Sequence, residues 1–115
     1  MRAAEALGLR VTVRYHEPPA VPGDTALAFA QAVTEALNNV HRHAGTGHAY
    51  LTVTGDSGRL VVTVVDRGRG FDPAGAVGGL GLTRSVHQRM RDAGGHATVD
   101  SAPGEGVSVE LRWPR

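Results

Sequence analysis

Cysteine is absent from the 115-residue chain. That removes disulfides and thiolate metal sites from consideration, and it fits a reducing cytoplasmic setting. Lysine is absent too: all twelve basic residues are arginine. A Walker A loop needs lysine on its phosphates, and so do the strand lysine of a protein kinase and any Schiff-base chemistry. A nucleotide handled by this chain must be held by another design. No apolar run approaches the roughly 20 residues of a membrane span. The opening MRAAEALGLR is too poor in apolar residues for a signal peptide. Neither export nor direct membrane contact is expected. Formal net charge is +1, which gives no electrostatic case for nucleic acid as a partner.

What is present is an ordinary globular composition, 41% hydrophobic and 20% charged. Residues 1–115 are expected to form one domain with its own core. LRVTVRYH (9–16) alternates apolar and polar residues and predicts a half-buried strand. The proline-rich EPPAVPGD that follows cannot belong to a helix or a central strand. Asp24 or Thr25 is the expected N-cap of a helix running to about Arg42. Ala26, Phe29, Val33, Ala36, Leu37 and Val40 would form its apolar stripe. HAYLTVTG (48–55) and RLVVTVVD (59–66) predict two strands joined by a hairpin turn at Asp56-Ser57-Gly58. The second is nearly continuous in apolar residues and so should be central. From Arg67 to Gly81 the chain is glycine-rich and irregular. A helix over 82–93 should end at Gly94-Gly95, where glycine supplies the C-cap. HATVDS (96–101) and GVSVELRW (106–113) complete the pattern around the turn APGE. The order β-α-β-β-loop-α-β-β predicts an α/β two-layer sandwich, a mixed sheet with helices on one face. Repeats, low-complexity tracts and linkers are absent.

Three stretches carry possible chemistry. In EALNNVHRHA (35–44), two asparagines stand where a helix would more readily use Glu, Arg or Gln. Any amphipathic helix has a polar face, but an asparagine oxygen also suits a hard divalent cation. Glu35, Asn39 and Arg42 should align opposite the apolar stripe, with Asn38 and His43 flanking. Glu35 could hold the cation's waters or orient a proton acceptor, and Arg42 and His43 could contact phosphate. His41-x-His43 lacks the cysteines or HExxH setting of a zinc site. In VVDRGRGFDP (64–73), Asp66 ends a buried strand. Asp-x-Gly is a common turn, yet a strand-end carboxylate can also accept a hydrogen bond from an exocyclic amine such as adenine's. Gly68 and Gly70 would let a planar ring approach the main chain. In GGLGLTRSV (78–86), Gly79-Leu80-Gly81 is either a hinge or a lead into a helix N-terminus that can cradle phosphates. Neither Gly68 nor Gly79 begins a GxGxxG series, so a dinucleotide fingerprint fails on spacing.

Taken in this order and spacing, the three stretches resemble the catalytic, ATP-binding domain of bacterial sensor histidine kinases, of the GHKL superfamily. EALNNVHRHA looks like that family's N box, DRGRGF like its first glycine box and GLGL like its second. GGHATVDSAPGEGVSVELRWP is similar to its closing strands and Gly-x-Gly turn. The resemblance runs from about residue 9 to the end. Only eight residues separate Gly70 from Gly79, similar to the short ATP lid of the nitrate-sensor and desaturase-regulating type.

The resemblance implies Mg-ATP binding in a mostly antiparallel GHKL-type sandwich. Asn39 would be the magnesium ligand, Arg42 and His43 would lie near the phosphates or ribose, and Asp66 would read the adenine amino group. Gly68 and Gly70 would shape the base pocket, and Gly79, Gly81 and Leu82 would bound the lid. Glu35 would either activate water, as in ATP-hydrolysing relatives, or support the metal. The γ-phosphate would go to a histidine on a separate dimerising domain, then to a response-regulator aspartate. His16-Glu17 does not supply that histidine, because it precedes Pro18-Pro19 at a strand end. The chain is therefore expected to be a fragment of a larger cytoplasmic or membrane-anchored sensor, with little activity alone. An anti-sigma-factor serine kinase, an autonomous ATPase and an ATP-free interaction module are the alternatives. One departure stands out. Where the family has Gly-x-Gly-Thr, this chain has Gly104-Glu105-Gly106-Val107, so the hydroxyl beside the adenine-binding Asp is missing unless Ser108 or a water replaces it.

Overall fold

The computed structural model describes residues 10–16, 20–41, 47–56, 58–70 and 80–115. Among these residues are five strands and two helices: β1 (Arg10–His16), α1 (Gly23–Asn39), β2 (His48–Asp56), β3 (Arg59–Asp66), α2 (Leu80–Asp92), β4 (His96–Ser101) and β5 (Val107–Trp113). The sheet order is β1-β2-β3-β5-β4, so β3 is central, as its apolar sequence predicts. β1 and β2 pair in parallel, joined through α1, and the other three pairings are antiparallel. A parallel pair needs such a crossover because a short turn cannot reverse the chain twice.

Alternation decides which face is covered. Leu60, Val62, Val64 and Asp66 of β3 are buried, while Val61, Thr63 and Val65 between them are half-buried. On β5, Val107, Val109 and Leu111 share the covered face and Ser108 and Glu110 the other. α1 and α2 close over the first set, with Phe29, Ala36 and Leu37 from α1 and Val86 and Met90 from α2 in one core. The result is the two-layer α/β sandwich expected from the element order, with both helices on one face of the sheet.

Helix ends show where local rules hold and where they yield. α2 ends in a Schellman arrangement: Gly94 has φ 80°. The Gly95 amide donates to the Met90 carbonyl at 2.7 Å, and the Gly94 amide donates to Arg91 at 3.1 Å. The start of α1 differs from expectation. Pro22 occupies the N-cap position with no side-chain cap, and its carbonyl accepts from the Ala26 amide at 2.9 Å. Asp24 and Thr25 are thus inside the first turn, where the Asp24 carboxylate still favours the positive helix end. Proline in its extended conformation sets the entry angle and offers no side-chain acceptor, and the Asp24 carboxylate accepts from the Thr25 amide at 3.0 Å within the first turn. The α-helix stops at Asn39, short of Arg42, and Val40 and His41 form a wider π turn.

Candidate functional site

The end of β3 is where polar chemistry enters the core. Asp66 is 2% exposed. One carboxylate oxygen, Oδ1, accepts from the Gly68 amide at 2.8 Å, which is the local turn that Asp-x-Gly can form. The other, Oδ2, is buried and without a hydrogen-bond partner. Burial pushes the Asp66 pKa above its ordinary value, while the amides of Gly68 and Val107 act in the opposite direction. A buried carboxylate oxygen with no donor is costly to maintain. It is well suited to an incoming N–H.

Register sets the neighbours of this carboxylate. Asp66 pairs with Val107 across β3 and β5, and Val107 pairs with Ser101 across β5 and β4. Ser101, Val107 and Asp66 therefore stand abreast. Ser108 pairs instead with Val65, and alternation puts it on the opposite face of the sheet. Ser108 thus cannot replace the missing threonine hydroxyl beside Asp66. Ser101 faces the right way, but it lies two strands from Asp66, about 10 Å. Its Oγ donates to the Gly106 carbonyl at 2.7 Å.

The glycines pack the site from below. Gly106 has φ 75° and Gly70 φ 64°. A Cβ on Gly106 would strike the Asp66 carbonyl oxygen, and one on Gly70 would strike the carbonyls of Ala102 and Gly106. The Gly104 amide donates to the Arg69 carbonyl at 2.5 Å. Residues 68–70 are thereby stitched to the turn at 102–106, so Gly70 is bare because protein backbone approaches it. Beside this junction is a cleft of about 300 Å³. It takes Asp66, Ser101 and Val107 from one sheet face and Val65, Asp100 and Ser108 from the other.

The remaining candidates divide. Asn39 is 7% exposed. It is not on an outward polar face, as the sequence suggests, but continues the buried row Thr25-Phe29-Ala32-Ala36. Ala26, expected in the apolar stripe, is exposed. The helix is rolled toward Thr25, because it packs against α2 as well as the sheet. Glu35 is half-buried, and its Oε1 lies 3.9 Å from Arg89 Nη2 on α2, at the limit of an ion pair. Arg89 Nη1 also donates to Gln31 at 3.0 Å. No sequence signal pointed to this helix-to-helix link, which joins residues 58 positions apart. Gly81 is inside the first turn of α2, since that helix begins at Leu80, two residues before the expected start. Gly81 is exposed, and a Cβ there would meet nothing within 4 Å. Leu82 belongs to the same turn. First-turn amides have no intrahelical acceptor, which leaves them available to an anion. Arg42, His43 and Gly79 lie outside the described residues. Among the described residues no three His, Cys, Asp or Glu side chains group as a metal site.

The chain and its fold have known counterparts. Residues 24–115 match the family described as histidine kinase-, DNA gyrase B-, and HSP90-like ATPase. The chain belongs to that family. Sensor histidine kinase YhcY of Bacillus subtilis is 29% identical over 110 residues, covering 94% of this chain and 29% of the relative. Sensor histidine kinase MctS of Rhizobium johnstonii is 39% identical over 92 residues, covering 76% of this chain and 20% of the relative. The blue-light activated histidine kinase of Erythrobacter litoralis EL346 superposes with TM-score 0.77 at 30% identity, over 98% of this chain and 39% of that one. The chain thus spans less than a third of the curated relatives it matches. As a histidine-kinase-type ATPase domain it is a nucleotide-binding family member. No helix among the described residues is long and apolar enough to cross a membrane.

Proposed function

We infer that this domain binds Mg-ATP and presents the γ-phosphate to a histidine on a separate dimerising domain of a larger sensor kinase. From there the phosphoryl group would pass to an aspartate of a response regulator. The observation that carries the reading is the unpartnered, buried Oδ2 of Asp66 at the end of β3, in a chain of this ATPase family. That oxygen accepts a hydrogen bond from the exocyclic amine of adenine. Gly68 keeps the neighbouring oxygen occupied, so the acceptor is fixed in direction. The open α2 N-terminus at Gly81 and Leu82, with Gly79, Arg42 and His43, supplies phosphate contacts without lysine. Asn39 offers its amide oxygen to the metal, and Glu35 supports that end of α1. Magnesium, when bound, neutralises charge on the phosphates. The names of the relatives, all sensor histidine kinases among those quoted, favour a histidine acceptor over a serine one.

Transfer needs the acceptor held in line with the phosphate, so the 115-residue chain alone should bind nucleotide and turn over little. Calorimetric titration with ATP, with and without magnesium and with GTP as control, tests the reading. Saturable, adenine-selective, magnesium-assisted binding is expected. Absence of binding up to millimolar ATP would sink it and bring the interaction-module alternative forward.

A further inference from the structure

The near-neutral total charge hides an uneven distribution. Arg59 and Asp66 stand at opposite ends of β3, about 23 Å apart. At the Arg59 end, two cavities adjoin. The first, about 220 Å³, has His87, Arg91, His96 and Arg115 in its wall. The second, about 440 Å³, shares His96 and Arg115 and adds Arg59 and Arg112. Among the described residues, no Asp or Glu side chain lines either cavity. Four of the twelve arginines and two of the six histidines therefore face one corner.

Their partners are few. Arg112 leans on Glu110 at 3.5 Å, and Arg115 Nε donates to the Gly95 carbonyl at 3.4 Å. Arg59 and Arg91 are exposed and have no ion pair among the described residues. His87 lines the first cavity, and its Nε2 is buried with no hydrogen-bond partner. Arg59 and Arg91, with no ion pair among the described residues, leave positive charge at this corner that an anion would relieve. Guanidinium forks match the oxygens of phosphate in pairs, and a concave wall selects a small ligand over a flat surface.

We propose that this corner is a second ligand site, for a small diphosphate-type oxyanion, separate from the nucleotide site and independent of it. The test is titration of the chain with inorganic pyrophosphate at constant ionic strength, followed by backbone and imidazole NMR shifts, with malonate and chloride as comparisons. Saturable binding with shifts at His87 and His96 is expected. The double variant Arg59→Gln/Arg91→Gln should weaken it by about tenfold or more. Both side chains are exposed, so their exchange leaves the packing intact. Asp66→Asn should leave pyrophosphate binding at this corner unchanged. Three results would overturn the proposal: shifts confined to Gly81 and Asp66, malonate binding as tightly as pyrophosphate, or a non-saturating drift that chloride reproduces.

Discussion

Asp66 divides its two oxygens between structure and chemistry. One closes the turn to Gly68 and the other waits without a donor. Its folded pKa lies above 3.8, so the folded state keeps a proton that the unfolded chain has already released. Stability from this difference is present below pH 3.8 and is lost as pH rises through the raised folded value. Thermal unfolding of the free domain across that window should show the loss, and Asp66→Asn should abolish it. Nucleotide binding should respond in the opposite sense, weakening as pH falls through the same value, because the acceptor oxygen becomes protonated. Asp66→Asn should weaken ATP by about tenfold or more while hardly altering the response to magnesium. Unchanged affinity in calorimetry would contradict the pocket assignment. Asn39→Ala should remove the magnesium dependence of ATP binding, and a retained dependence would move the metal elsewhere. The burial of Asp66 was legible because it ends the nearly continuous apolar run of β3. The burial of Asn39 was not, since the row it completes begins with Thr25, a polar residue 3% exposed.

At the scale of elements, the glycines separate into two kinds. Gly106 has positive φ and no room for a Cβ. Gly106→Ala should therefore lower unfolding free energy by about 2 kcal/mol or more, measured by denaturant titration. Gly81 has ordinary helical surroundings and open space. Gly81→Ala should leave the fold intact or stabilise α2 by up to about 1 kcal/mol. It should nonetheless weaken Mg-ATP if a phosphate approaches that turn closely, and unaltered affinity would remove Gly81 from the site. The sequence alone could not separate these two glycines. Both occur in Gly-x-Gly pairs, and the difference lies in what the rest of the chain brings near. Strand and helix positions were legible to within about two residues at most ends, because alternation, helical periodicity and Gly94-Gly95 are local signals. The α1 start was not. Pro22 took the position expected for Asp24 or Thr25.

For the whole molecule, ligand binding should appear as stability. A nucleotide present at 100 times its Kd adds about 2.7 kcal/mol, roughly a 10 °C rise in Tm for a domain of this size. Scanning fluorimetry with Mg-ATP against Mg-GTP would measure it, and an equal shift from both would argue against adenine reading. The Asp66→Asn variant should lose most of the difference.

The sequence by itself determined the order of elements, the centrality of β3 and the presence of a strand-end carboxylate, since each depends on neighbours a few residues apart. Absence of lysine and cysteine likewise narrowed the chemistry before any fold was known. Only the tertiary structure decided that Ser101 and not Ser108 shares a face with Asp66, that Arg89 reaches Glu35, and that the buried face of α1 extends to Asn39. It also gathered Arg59, Arg91, Arg112 and Arg115 at one corner of a nearly neutral chain. Register, helix roll and the meeting of distant charges are set by packing between segments far apart in sequence, and periodicity within one segment carries no record of its partner.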